Sequence, residues 1–163
     1  MNINKPKQHE MKKILMTLAL VLASQLAYCQ SITEVIDQLK ALPGAESQVL
    51  GKDMVAMLVA SIPDEATKNT MKKVEEMDMV QVSNASEEIR SKFTDIVKSL
   101  KNSYDKVAEE TEGEETMFMF ADNDDEGKPR HLMIGVVSSN DCQFICFKGQ
   151  LSLADLEALG NMK

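Results

Sequence analysis

The chain has no tryptophan, and aromatic residues make up only 4% of it. Its core must therefore be aliphatic, with the twelve methionines as adaptable filler. The indole platform on which sugar sites commonly stack their ligand is missing. Histidine is almost absent: His9 and His131 are the only two. Basic residues are in the minority, 18 against 26 acidic. Nucleic-acid binding rests on neutralising phosphates with lysine and arginine, so this balance argues strongly against it. Long hydrophobic runs are also lacking. The longest, Ile14 to Ala27, is 14 residues, short of the ~20 a helix needs to span a bilayer.

That short run is the most informative stretch present. Lys12 and Lys13 precede it, and Ala27-Tyr28-Cys29 and then Gln30 follow. This is the charged start, apolar centre and small-residue exit of a secretory signal peptide over residues 1–29. Met11 reads as the true start, with residues 1–10 as an upstream extension. Two cleavage modes compete. Ala27 and Cys29 supply small residues at −3 and −1, giving a mature chain from Gln30 and a periplasmic or secreted protein. A lipoprotein peptidase would cut before Cys29 and leave it acylated, but Tyr28 stands where that enzyme takes Gly, Ala or Ser. Removal of residues 1–29 takes away four lysines and one glutamate and leaves a net charge of −11. Such a surface also opposes adsorption to anionic headgroups. Residues 30–163 suit one domain, large enough to bury ~65–70% of its unfolded surface.

Ser31-Ile32-Thr33-Glu34 is a capping box, followed by Ile32, Val35, Ile36 and Leu39 at helical spacing and ended by Pro43-Gly44. A short strand at Ser47 to Leu50 precedes a helix over Lys52 to Ser61. Its run from Met54 to Ala60 is apolar on every side, which predicts a buried helix. Met77 to Val82 reads as a strand. Asn84 as cap, with Glu87 three residues on, opens a helix with a single stripe of Ile89, Phe93, Ile96, Val97 and Leu100. From Tyr104 the period changes to two. Strands are predicted near Tyr104–Glu109, Thr116–Ala121, Arg130–Ser138 and Cys142–Gly149, with polar connections at 110–115, 122–129 and 138–141. Connections so short make antiparallel hairpins. Ser152 to Asp155 caps a last short helix.

Each candidate site has a plain structural explanation. Asp122, Asp124 and Glu126 place oxygen ligands at alternate positions before Gly127, like the front half of a calcium loop. The twelfth position, however, is Met133 rather than a bidentate Glu, and Pro129 interrupts the exit, so a polar hairpin turn accounts for the pattern. Cys142 and Cys146 share one face of a strand about 13 Å apart, beyond the ~7 Å a disulfide tolerates. They read as small core residues. A soft-metal site with Met77, Met79, Met117 and Met119 is the sharper alternative. His131 sits at a strand start beside Arg130, as an exposed or edge histidine does. With no second histidine in the mature chain and no nucleophile at a strained turn, a nucleophile–base pair is hard to assemble. The acidic run Glu109, Glu110, Glu112, Glu114, Glu115 reads as a solvated loop. No cofactor is implied, and the chain reads as a non-enzyme.

The leader ending before Gln30, the helix–Pro-Gly opening and the Lys52–Ser61 helix together form a recognisable arrangement. So does the carboxy-terminal Asp141-Cys142 … Phe147-Lys148-Gly149-Gln150-Leu151-Ser152 … Asp155-Leu156 stretch. The arrangement resembles a family of exported Bacteroidetes proteins catalogued as domain of unknown function 4252. The resemblance implies an envelope or secreted α+β domain without an established activity, of a family whose genes often neighbour those of alternative sigma factors. It brings no functional residues with it. The expected fold is α+β, an antiparallel-dominated sheet with the Ile89–Leu100 and Lys52–Ser61 helices packed on one face and the other partly open or meeting a partner. The expected function is a non-enzymatic binding or signalling-accessory module of the cell envelope. Its partner would be an envelope protein or a small ligand, with no transmembrane span. The competing class is a hydrolase or metal-dependent enzyme using His131 and the acidic loops.

Overall fold

A computed structural model describes residues 30–152, 154 and 155. The predicted signal peptide over residues 1–29, with Cys29, and most of the predicted last helix lie outside the described residues. No described helix is long and apolar enough to cross a membrane.

The elements run α1 (Ile32–Lys40), β1 (Ala45–Leu50), α2 (Lys52–Ala60), α3 (Glu65–Met71), β2 (Val74–Val82) and α4 (Glu87–Lys98). A 3-10 turn (Ser99–Asn102) follows, then β3 (Asp105–Glu112), β4 (Glu115–Asn123), β5 (Pro129–Val137) and β6 (Cys142–Gly149). The strands form one six-stranded sheet in the order β1-β2-β6-β5-β4-β3, every pair antiparallel. The fold is α+β, as the alternating pattern predicts. Helix α4 carries the chain from β2 to the far edge at β3, and the β3–β6 meander returns it to β2.

Strand alternation gives the sheet two distinct faces. On the first, Val80, Phe118, Phe120, Met133, Phe144 and Cys146 pack under Val35, Ile36 and Leu39 of α1 and Phe93 and Val97 of α4. Helix α4 sits close because Gly135 on β5 has no side chain: a Cβ there would lie 2.7 Å from Val97 Cγ1. On the second face, Met77, Met119, Leu132, Ile134 and Phe147 form a separate core with Leu50, with Val55 and Val59 of α2, and with Met71 of α3. Met79, Met117, Val136 and Ile145 there are only partly buried.

Several expectations change. Helix α2 does not join α4; it lies against the opposite face. Nor is it buried all round, because it buries Val55 and Val59 and leaves Met57 74% exposed. An evenly apolar helix gives no directional signal, so periodicity could not say which side faces the sheet. Helix α3 is absent from the sequence reading, since Glu65–Met71 is short and polar. The cap of α4 is Ser86, whose hydroxyl accepts the Ile89 amide, whereas Asn84 sits in a left-handed turn (φ 53°). Its backbone amide donates to Asp141. The acidic run is not a loop. β3 and β4 continue through it to a tight Gly113-Glu114 turn, with Glu112 opposite Glu115.

The capping box at Ser31 and Glu34 forms in both directions. At the other end, Ser152 and Asp155 exchange the same reciprocal bonds. The Phe147-to-Asp155 stretch is explained piece by piece. Phe147 and Leu151 enter the second core, and a Cβ on Gly149 would collide with the Lys73 carbonyl. Asp155, 7% exposed, binds Lys73 Nζ at 2.7 Å and the Thr70 hydroxyl at 3.2 Å. This clasp ties the chain's end to α3.

Candidate functional site

At one end of the first face the apolar filling stops and a row of polar side chains crosses four strands. Glu76 on β2 is register partner of Lys148 on β6, Lys148 of His131 on β5, and His131 of Asp122 on β4. Period-two alternation aims these side chains to the same side as Cys146, Met133 and Phe120. Asp78, opposite Cys146, lies one step further in. Over this row stand α1 and Tyr104. Together they line a cleft of about 370 Å³ bounded by Thr33, Asp37, Lys40, Asp78, Tyr104, His131 and Lys148. That volume is within the range of small-molecule sites.

The charges in the row are fixed by pairing. Lys148 Nζ lies 2.6 Å from Asp78 Oδ2 and 2.6 Å from Glu76 Oε1. Burial works against the ammonium, but the hydrogen bonds and charges of Asp78 and Glu76 outweigh it, so Lys148 is held well above the usual lysine range. It is a permanent cation here, not an amine nucleophile. His131 Nδ1 lies 2.8 Å from Asp122 Oδ2, and Arg130 reaches the other carboxylate oxygen at 3.3 Å. With a carboxylate as acceptor, the ring carries its proton on Nδ1, which leaves Nε2 as the acceptor of the neutral imidazole. The Tyr104 hydroxyl accepts the Ile32 amide at 3.1 Å and so anchors the start of α1 to the sheet. Burial pushes its phenol above the ordinary range.

His131 is therefore not an edge histidine. It is half-buried on an interior strand, oriented by a carboxylate, in a cleft. Asp122, Asp124 and Glu126 are not brought together. Asp122 turns to His131 and Arg130, Asp124 accepts the amides of Glu126 and Lys128, and Glu126 pairs with Lys128 at 2.7 Å. The three form a hairpin turn with Gly127 at φ 77°. Cys142 and Cys146 are buried and unbridged on the first face, whereas Met77, Met79, Met117 and Met119 belong to the second. These four thioethers thus lie across the sheet from both thiols and cannot share one ion with them. Among the described residues no three His, Cys, Asp or Glu side chains converge as metal ligands. Burial pushes the Cys142 thiol up to about 11 and that of Cys146 up to about 12, so neither is a thiolate at neutral pH.

Sequence reasoning passed over Asp37, Lys40, Asp78, Tyr104 and Lys148. One local signal was available for Asp78. A lone carboxylate between methionines in an apolar strand must find a cation if its side faces the core. The identity of that cation, 70 residues away on β6, depends on register.

A family model described as a domain of unknown function (DUF4252) matches residues 30–159. The chain belongs to this family. No curated protein and no solved structure matches it.

Proposed function

We propose that this DUF4252 protein is an exported binding module of the Bacteroidetes cell envelope that holds a small polar ligand in the cleft beneath α1. It acts as a signalling accessory rather than as an enzyme. The leader pattern at residues 1–29 supports export to the periplasm or beyond, with anchoring through an acylated Cys29 as the alternative. The observation that carries the binding reading is the locked state of the cleft's reactive groups. Lys148 is held charged between two carboxylates, and the Tyr104 hydroxyl already takes a backbone amide. Fixed charges of both signs, with Asp37 and Lys40 at the rim, suit recognition of a small molecule that itself carries both donors and acceptors.

The second reading, a hydrolase using His131, is favoured by one feature: the Asp122–His131 pair is the orienter–base half of a catalytic triad. The other half is not present in the cleft lining, where Thr33 and Tyr104 are the hydroxyls. Native mass spectrometry of the protein isolated from its own envelope, with metal analysis of the same sample, separates the two. Binding predicts a stoichiometric small-molecule adduct that is lost in the rim variant Asp37→Asn/Lys40→Gln, whose positions are surface-accessible on α1. Stoichiometric zinc or copper, or chemical conversion of the released molecule by fresh protein, would replace this reading with the enzymatic one.

A further inference from the structure

The second face carries a separate groove, between α2 and α3. Its floor and walls are Val55, Ala56, Val59, Ala60, Met71 and Val74, and its remaining lining residues are Lys52, Lys68 and Lys72. The volume is about 350 Å³. Every charged residue lining it is a lysine, in a chain whose acidic residues outnumber its basic ones by 26 to 18. The His131 cleft, by contrast, mixes both signs and is roofed by α1. Sorting of charge by sign around an apolar floor needs a cause beyond solubility, for which added carboxylates serve at least as well. The lysines are engaged only lightly: the half-buried Lys68 has the exposed Glu65 at 3.6 Å, and Lys72 has Asn69 at 3.4 Å at the surface. Pairs of this kind contribute ~0–1 kcal/mol and yield readily to a better anion.

We infer that this groove binds a single-chain amphiphile, its acyl chain against the exposed Ala56 and Ala60 and the lysine stems, above the buried Val55, Val59 and Met71, and its anionic head among Lys52, Lys68 and Lys72. Lysine is suited to such a head as a mobile point charge on an apolar stem that extends the groove wall. The exposed alanines and the lysine stems supply affinity in proportion to the area removed from water, and the lysine ammonium groups select the charged head over a neutral one. Val55 and Val59, which also join the second core, couple the groove to the sheet.

Isothermal titration of the purified chain with laurate, with dodecanol and with phosphatidylglycerol vesicles tests this. Saturable laurate binding is expected at one site. Affinity should fall about tenfold or more for dodecanol and for Lys52→Gln/Lys68→Gln/Lys72→Gln, since three weak charge contacts sum to roughly one decade. The exposed Ala56→Phe substitution should block the groove without touching the core. Dodecyl phosphate should bind like laurate if the head is recognised by charge alone, and retained laurate binding in both variants would overturn the inference. Binding to vesicles but not to free laurate would overturn it as well, because the face would then be a membrane contact rather than a site for one amphiphile.

Discussion

The two faces of the sheet are built from alternate residues of the same strands, yet they are finished differently. The first is filled with phenylalanine (Phe93, Phe118, Phe120 and Phe144) and closed by α1 and α4, whose single apolar stripes fix their orientation. The second is filled largely with methionine and aliphatics, and its Met79, Met117, Val136 and Ile145 remain partly open. Rigid aromatic packing specifies one arrangement, whereas methionine adapts to whatever shape it meets. A preorganised polar cleft requires the first kind of support. A groove for a flexible acyl chain tolerates the second.

The largest effect expected from this contrast comes from neighbours in one strand. Phe144→Ala, on the first face, should destabilise by about 3–5 kcal/mol, while Ile145→Ala, on the half-open second face, should cost only about 1–2 kcal/mol. Urea midpoints of the two variants measure the difference, and equal losses would show that the faces are packed alike. Next in size is the ion pair under the cleft. Lys148→Met strands the buried Asp78 carboxylate and should cost about 2–3 kcal/mol, the lower end for a broken buried pair because Lys148 is partly exposed. Adding Asp78→Leu should return most of that stability in the same assay. Failure of the double variant to recover would mean the pair is not the reason these residues are there.

The clasp on the second side titrates. Burial disfavours the Asp155 carboxylate, but Lys73 and Ser152 outweigh it and lower its pKa from 3.8 to about 2. A carboxylate with a depressed folded-state pKa stabilises above its unfolded value, and that contribution is lost as pH falls through the window from about 4 to about 2. The expected contribution is about 2 kcal/mol, read as the gap between wild type and Asp155→Asn, which should be full at neutral pH and close as the acid limit is approached. The smallest effect is at the thiols. Cys142→Ala/Cys146→Ala should keep the fold at a cost of about 1 kcal/mol, and mass spectrometry of the unreduced protein should show no bridge between them. A Cys142–Cys146 disulfide would require β6 not to be a strand.

The meander was legible because each of its strands alternates and each connection is short. The amino-terminal helix was legible because Ser31 and Glu34 cap it in sequence as they do in space. Helix α2 was visible as an element but not in its position, since apolar residues on all sides carry no phase. The cap at Ser86 was displaced by two residues because Asn84 is equally suited to a left-handed turn. The cleft was the least legible part. Its row joins Glu76, Lys148, His131 and Asp122 through the register of three strand pairs, and register is set by the packing of whole strands rather than by any local motif. His131 and Asp122 were each considered alone, nine residues apart, and only the β4–β5 hairpin turns them into a pair.

His131 and Tyr104 are the only histidine and tyrosine in residues 30–163, so each gives one set of ring resonances, and the methionine methyl groups Met79 and Met117 report on the second face. NMR titration of the labelled protein with the small-molecule fraction of its own envelope therefore probes both faces at once. The account predicts that the His131 and Tyr104 ring signals shift saturably, and that Asp37→Asn/Lys40→Gln abolishes those shifts. Ring signals that stay unmoved in the wild-type protein, or that move equally in the rim variant, would contradict it.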